Sequence, residues 1–121
     1  MDPLREIPRV RQTLDSALQR RWFTCATADL FIWHHEGSIK KFELCYGKPR
    51  AERSLTWTAT GGFIHSRIDD GEINPSRNQT PIAVPELSVD RAAVAIRVEP
   101  LMALIDPCTY RFVMRVLRLG H

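Results

Sequence analysis

Residues 54–68 read Ser-Leu-Thr-Trp-Thr-Ala-Thr-Gly-Gly-Phe-Ile-His-Ser-Arg-Ile, two alternating runs on either side of a glycine pair. Alternation of apolar and polar side chains is the period of a half-buried strand. Gly61-Gly62 suits a type I′ turn, whose two central residues take positive φ. A turn centred there pairs Ala59 with Ile64, Trp57 with Ser66 and Leu55 with Ile68. Those residues share a mainly apolar face. Thr56, Thr58, Thr60, Phe63, His65 and Arg67 then share the other.

A second hairpin precedes it. Residues 29–35 (Asp-Leu-Phe-Ile-Trp-His-His) form one strand and residues 39–46 the return, with Glu36-Gly37-Ser38 as the turn signal. A two-residue turn pairs Phe31 with Phe42. A three-residue turn pairs Ile32 with Phe42 and Leu30 with Leu44. One residue of slip exchanges the faces, so the register stays open at this stage. Trp22, Phe23 and Thr24 read as a short strand or a bridge into this sheet.

The ends of the chain carry helical signals. Asp2-Pro3 resembles an N-cap and first-turn pair. Val10, Leu14, Ala17 and Leu18 fall on one stripe and Gln12, Asp15, Ser16 and Gln19 on the other, which predicts an amphipathic helix over residues 9–20. Ser88 or Asp90 can cap a helix running to about residue 97, with a strand over 92–98 as the competing reading. Glu99-Pro100 and Asp106-Pro107 repeat the acid-then-proline start. The last segment, 107–119, places Phe112, Val113, Val116 and Leu117 on one face and Arg111, Arg115 and Arg118 opposite them. Between sheet and helices lie the acidic turn Asp69-Asp70-Gly71-Glu72 and an irregular loop over 73–87. A short extended piece at 80–84 is compatible with that loop. Loops of this length are commonly functional.

The expectation is a single α+β domain over residues 1–121. It has two layers: a four-stranded antiparallel meander, with an N-terminal helix and C-terminal helices packed on one face. The other sheet face is then at least partly free.

Composition agrees with a globular chain. It has 121 residues, 44% hydrophobic and 26% charged, which excludes a disordered tail, a collagen-like repeat and a membrane-spanning protein. The basic residues are 14 Arg and 3 Lys, and the formal net charge is +3. A charge this small argues against a nucleic-acid partner, although arginine suits phosphate and carboxylate. Cys25, Cys45 and Cys108 form no CxxC pair, so they read as buried free thiols rather than a metal or redox motif. Residues 1–11, interrupted by Pro3 and Pro8, do not read as a secretory leader. The expected location is therefore the cytoplasm.

The densest polar cluster is His65, Arg67, Asp69, Asp70 and Glu72, with Thr56 and Thr58 expected beside His65. It reads as a ligand or partner surface. An extended strand holds His65 and Asp69 roughly 13 Å apart, too far to share one ion, and no cofactor or metal is expected. Arg111, Arg115 and Arg118 form a basic stripe with no acid after Asp106 in the chain. Trp22, Trp33, Trp57, Phe31, Phe42 and Phe63 gather aromatics in the sheet, mainly as core. In such a row only Phe63 is placed to serve as a stacking platform. No nucleophile elbow or phosphate-cradling glycine loop is present. The leading expectation is a non-enzymatic binding protein that uses the open sheet face and the 69–87 loop. Surplus apolar residues on the C-terminal helices (Leu101, Met102, Leu104, Ile105, 112–119) suggest a homodimer. Alternatives are an anionic-ligand or nucleic-acid binder through the Arg-rich helices, and a small enzyme built on His65, Arg67 and Asp69 or Asp70.

Overall fold

The computed structural model describes residues 2–8, 18–69, 82–85 and 90–121. Its strands are β1 (Arg5–Glu6), β2 (Gln19–Thr24), β3 (Ala28–His35), β4 (Ser38–Tyr46), β5 (Arg53–Thr58), β6 (Gly62–Asp69) and β7 (Ile82–Pro85). Every neighbouring pair is antiparallel and the spatial order is the chain order. Helix α1 (Arg91–Val98) leads through a 3₁₀ turn (Glu99–Met102) to helix α2 (Pro107–Leu119). The architecture is α+β, with a longer meander than the four strands expected.

The extra strands have physical reasons. β2 starts at Gln19 and pairs along the whole outer edge of β3, from Gln19 opposite His34 to Thr24 opposite Asp29. Main-chain hydrogen bonds along an open edge override a weak helical stripe, so the expected helix does not reach residues 18–20. Residues 9–17 lie outside the described residues. Asp2 caps no helix either: its carboxylate accepts from the Ala26 amide at 2.9 Å, and Arg5–Glu6 add a two-residue edge pairing to β2. β7 comes from the 73–87 segment, pairing Ser66 with Pro85 through Asp69 with Ile82. Among the described residues β7 ends the sheet, a place where a strand tolerates proline because a main-chain donor is not needed on both sides.

The β3–β4 hairpin combines the two readings of its turn. Glu36 and Gly37 both take positive φ (51° and 82°), as a two-residue primed turn needs. A register shift between Trp33 and His34 follows, and beyond it Ile32 faces Phe42 and Leu30 faces Leu44. Such a bulge inserts one residue and re-aims the strand.

The β5–β6 hairpin differs from expectation. Thr58 pairs with Gly62, Trp57 with Phe63, Thr56 with Ile64 and Leu55 with His65. The loop is Ala59-Thr60-Gly61, and of the two glycines only Gly62 has positive φ, at 72°. Thr58 Oγ1 accepts from the Gly61 amide at 2.9 Å and closes the loop. A type I′ turn would need both central residues at positive φ, so the three-residue loop replaces it. Relative to the expected pairing, β6 presents its opposite face.

One face of the sheet carries the core. Phe23, Leu30, Ile32, Phe42, Leu44, Leu55 and Trp57 pack against Val94, Val98, Met102, Val113, Val116 and Leu117 from the helical segment. The helix reading of 91–98 prevails over the strand reading because Asp90 caps it, accepting from the Ala93 amide at 3.1 Å. Asp106 does the same for α2, accepting from Thr109 N at 3.1 Å and Thr109 Oγ1 at 2.8 Å. Gly120, at φ 87°, ends α2 in the left-handed conformation.

Candidate functional site

The β5–β6 register settles where the candidate residues go. His65 shares a face with Leu55 and lies inside, only 8% exposed. Its Nε2 is 2.7 Å from the Tyr46 hydroxyl, and the two rings stack at 6.1 Å. The outward imidazole of the sequence reading is therefore overturned. Thr56 pairs with Ile64 and Thr58 with Gly62, which puts both on the opposite face from His65. Phe63 is turned inward beside Trp57, so it offers no stacking platform.

Arg67 remains on the His65 side. It is exposed and sits directly opposite Arg53. Asp69 closes β6 opposite Ile82. Asp70 and Glu72 lie outside the described residues.

The basic stripe also has a partner that chain order concealed. Arg111, Arg115 and Arg118 are exposed along α2, but Arg118 forms an ion pair with Glu99 of the preceding 3₁₀ turn. Arg115 lies over the Phe112 ring at 5.2 Å. Most of the apolar surplus on these helices is consumed internally: Leu101, Met102, Ile105, Val113, Val116 and Leu117 are buried. Ile96, Leu104 and Leu119 remain 75%, 54% and 63% exposed. Ile96 borders an apolar cleft of about 720 Å³ between the 3₁₀ turn and α2, with Met102, Ile105 and Tyr110 along its walls.

The sheet face away from the helices has its own organisation. Trp22 and Phe31 pair across β2 and β3, with rings stacked at 5.7 Å and 11°. Phe31 and Trp33 follow at 6.0 Å, and Lys41 Nζ lies 4.6 Å from the Trp33 ring centre. These three rings are half-buried, on the side that the helical core does not use.

Beside them runs a polar row. Asp29 accepts from Trp22 Nε1 at 3.1 Å, from Thr24 Oγ1 at 2.5 Å and from Lys48 Nζ. Burial pushes the Asp29 carboxyl up, but the bonds from Lys48, Thr24 and Trp22 outweigh it and hold the carboxyl below its usual range. Next in the row, burial pushes the Cys45 thiol up to about 12, aided by the charge of Glu43. A thiol so raised stays protonated at neutral pH and is a poor nucleophile. Ser54 and Ser66 complete the row and are buried.

Arg21 ties this sheet to the helices. It reaches Glu6 at 2.8 Å, Asp106 at 2.9 Å and Thr109 at 3.1 Å, and so fastens the start of α2 to β1 and β2. A second cleft, of about 530 Å³, lies alongside; Arg21, His34, Asp106 and Cys108 line it. Among the described residues, no group of three or more His, Cys, Asp or Glu side chains is placed to hold a metal.

Two features escaped the sequence reading. The Trp22–Phe31–Trp33 ladder was legible as a period-two aromatic pattern offset from Leu30 and Ile32. The contact of the Tyr46 ring with His65 and with Arg97, 5.3 Å from its centre, was not, because it brings β4, β6 and α1 together. No family model, curated protein or solved structure matches the chain. Among the described residues, no helix is long and apolar enough to cross a membrane.

Proposed function

We propose that the chain is a non-catalytic interaction module that binds a protein partner through the sheet face away from its helices. The observation that carries this reading is the Trp22–Phe31–Trp33 ladder with Lys41 at its end. Large aromatics are what the core of a protein interface favours, because they bury much area at little entropic cost. They do nothing here for the helical core, which lies on the other side of the sheet.

The ring arrangement favours a protein over a nucleic acid. Trp22 and Phe31 cover each other's faces, and Lys41 covers one face of Trp33. Base stacking needs free ring faces. An apolar protein surface needs only edges and area. The reading places the protein in the cytoplasm and assigns it no cofactor. A homodimer through the C-terminal helices is the competing partner, and rests on Ile96, Leu104 and Leu119.

Photo-crosslinking from single positions on the two faces tests this. A photoreactive residue at Thr56 or Lys41 is expected to trap one partner protein of defined mass in cells, and Trp33→Ala to abolish the adduct. The same group at Arg111 is expected to trap none. Adducts with a second copy from Arg111, or none from Thr56 and Lys41, overturn the proposal.

A further inference from the structure

The connection between the two helices leaves an apolar cleft. Helix α1 ends at Val98, and the chain runs through the 3₁₀ turn to Pro107, where α2 begins. Pro100 in the turn, Pro107 at the helix start and the Ile105 amide, bonded to the Met102 carbonyl at 3.1 Å, fix this path. Between the turn and α2 lies the space of about 720 Å³ walled by Ile96, Met102, Ile105 and Tyr110. None of its lining residues belongs to the sheet. Sites for small molecules are typically of this size, mostly apolar, with a few polar groups that set orientation.

Two charged side chains border the cleft, Glu99 and Arg111. Glu99 is already paired with Arg118. Arg111 is exposed, and among the described residues its guanidinium has no acid within ion-pair reach. The cleft therefore sets one uncompensated cation beside apolar walls. The Tyr110 hydroxyl, also without a hydrogen-bond partner among the described residues, adds a donor. A guanidinium fork matches the paired oxygens of a carboxylate. A dianionic phosphate would set its second charge against Glu99, so a single negative charge suits the cleft better. Ile96, 75% exposed at the rim, leaves water when an apolar tail covers it, which favours binding.

We infer that this cleft binds an amphipathic monocarboxylate, with its carboxylate on Arg111 and its apolar tail along Ile96, Met102 and Ile105. The unbranched Met102 side chain can adapt its shape to the tail. The site shares no residue with the Trp22–Phe31–Trp33 ladder and does not depend on it.

The experiment is titration of the full chain with octanoate, butanoate, octanol and octyl phosphate in turn, followed by backbone and methyl NMR. Saturable shifts at Ile96, Met102 and Ile105 are expected with octanoate. Each methylene that leaves water is worth roughly fourfold in affinity, so butanoate is expected to bind far more weakly. Octanol keeps the tail without the charge, and is expected to bind about tenfold more weakly than octanoate, the loss of one charge-assisted contact. Arg111→Gln is expected to bring octanoate down to the level of octanol and to leave octanol unchanged. Ile96→Ala is expected to weaken both. Arg115, on the same helix but outside the cleft, is the control: Arg115→Gln is expected to change neither. No saturable response to octanoate overturns the proposal, as does equal binding of octanol and octanoate. Tighter binding of octyl phosphate than of octanoate overturns the carboxylate assignment. Shifts at Ile96 that follow protein concentration, with a doubled mass by light scattering, also overturn it, since a second copy would then occupy the cleft.

Discussion

The Tyr46 hydroxyl lies 2.7 Å from His65 Nε2 and links β4 to β6 across the intervening strand β5. Both residues are buried, so the bond is made where water cannot replace it. Removing one partner of a buried polar pair costs about 1–3 kcal/mol. Tyr46→Phe is therefore expected to lower unfolding stability by that amount, and urea denaturation checks it. A change indistinguishable from zero contradicts the buried pairing.

The two hairpin glycines are expected to behave differently. Gly62 sits at φ 72° with open space where a Cβ would go. Ala there meets no clash but takes a left-handed conformation, at a cost of about 1–2 kcal/mol. Gly61 has ordinary φ, and a Cβ there approaches only the Thr58 hydroxyl, at 2.8 Å. That side chain can rotate away, so Gly61→Ala is expected to be the milder change. Equal costs at both positions, measured by thermal unfolding, contradict the three-residue loop.

Stability is expected to fall in acid, and the sign follows from three carboxyls. Arg21 holds Glu6 low by its hydrogen bond. Burial raises Asp106, but the Thr109 and Arg21 bonds bring it below its usual range. Asp29 is lowered on the other face. Groups with folded values below their unfolded ones, about 4, stabilise the fold above that range. They lose this contribution as pH drops through it. The melting temperature is therefore expected to be flat at neutral pH and to decline below about pH 4.5. Arg21→Gln is expected to shallow that decline. A melting temperature that rises toward pH 3 contradicts the assignment.

Thiol labelling is expected to rank the three cysteines. Cys108 is exposed at the start of α2, Cys25 is half-buried, and Cys45 is buried with its thiol pushed up to about 12. Thiolate fraction and access both control the rate. Mass spectrometry of alkylated protein is expected to show Cys108 modified first and Cys45 last. Early labelling of Cys45 contradicts its burial.

Much of the architecture was legible because it is local. The strands over 29–46 and 54–68 alternate, and Asp90 and Asp106 announce their helices with a carboxylate and, at α2, a proline. What was not legible depends on distant pairing. Gln19 and Arg20 are strand because β3 offers an open edge, and nothing within residues 9–20 records that. Gly61-Gly62 is compatible with two loop lengths that differ in which face His65 takes. Local turn chemistry does not separate them; the pairing of β5 with β6 puts His65 and Phe63 on the side of Leu55 and Trp57. The acid partner of Arg118 was missed because Glu99 precedes the helix and returns to it only through the 3₁₀ turn.

Which residues share a side of the sheet is set by the β5–β6 pairing for Thr56 and His65 and by the β2–β3 pairing for the aromatic ladder. Cross-strand nuclear Overhauser contacts between backbone protons measure that pairing directly. Contacts joining Leu55 with His65 and Arg53 with Arg67 are the predicted result. Contacts joining Trp57 with Ser66 and Ala59 with Ile64 instead would turn His65 to the ladder side and break its contact with Tyr46.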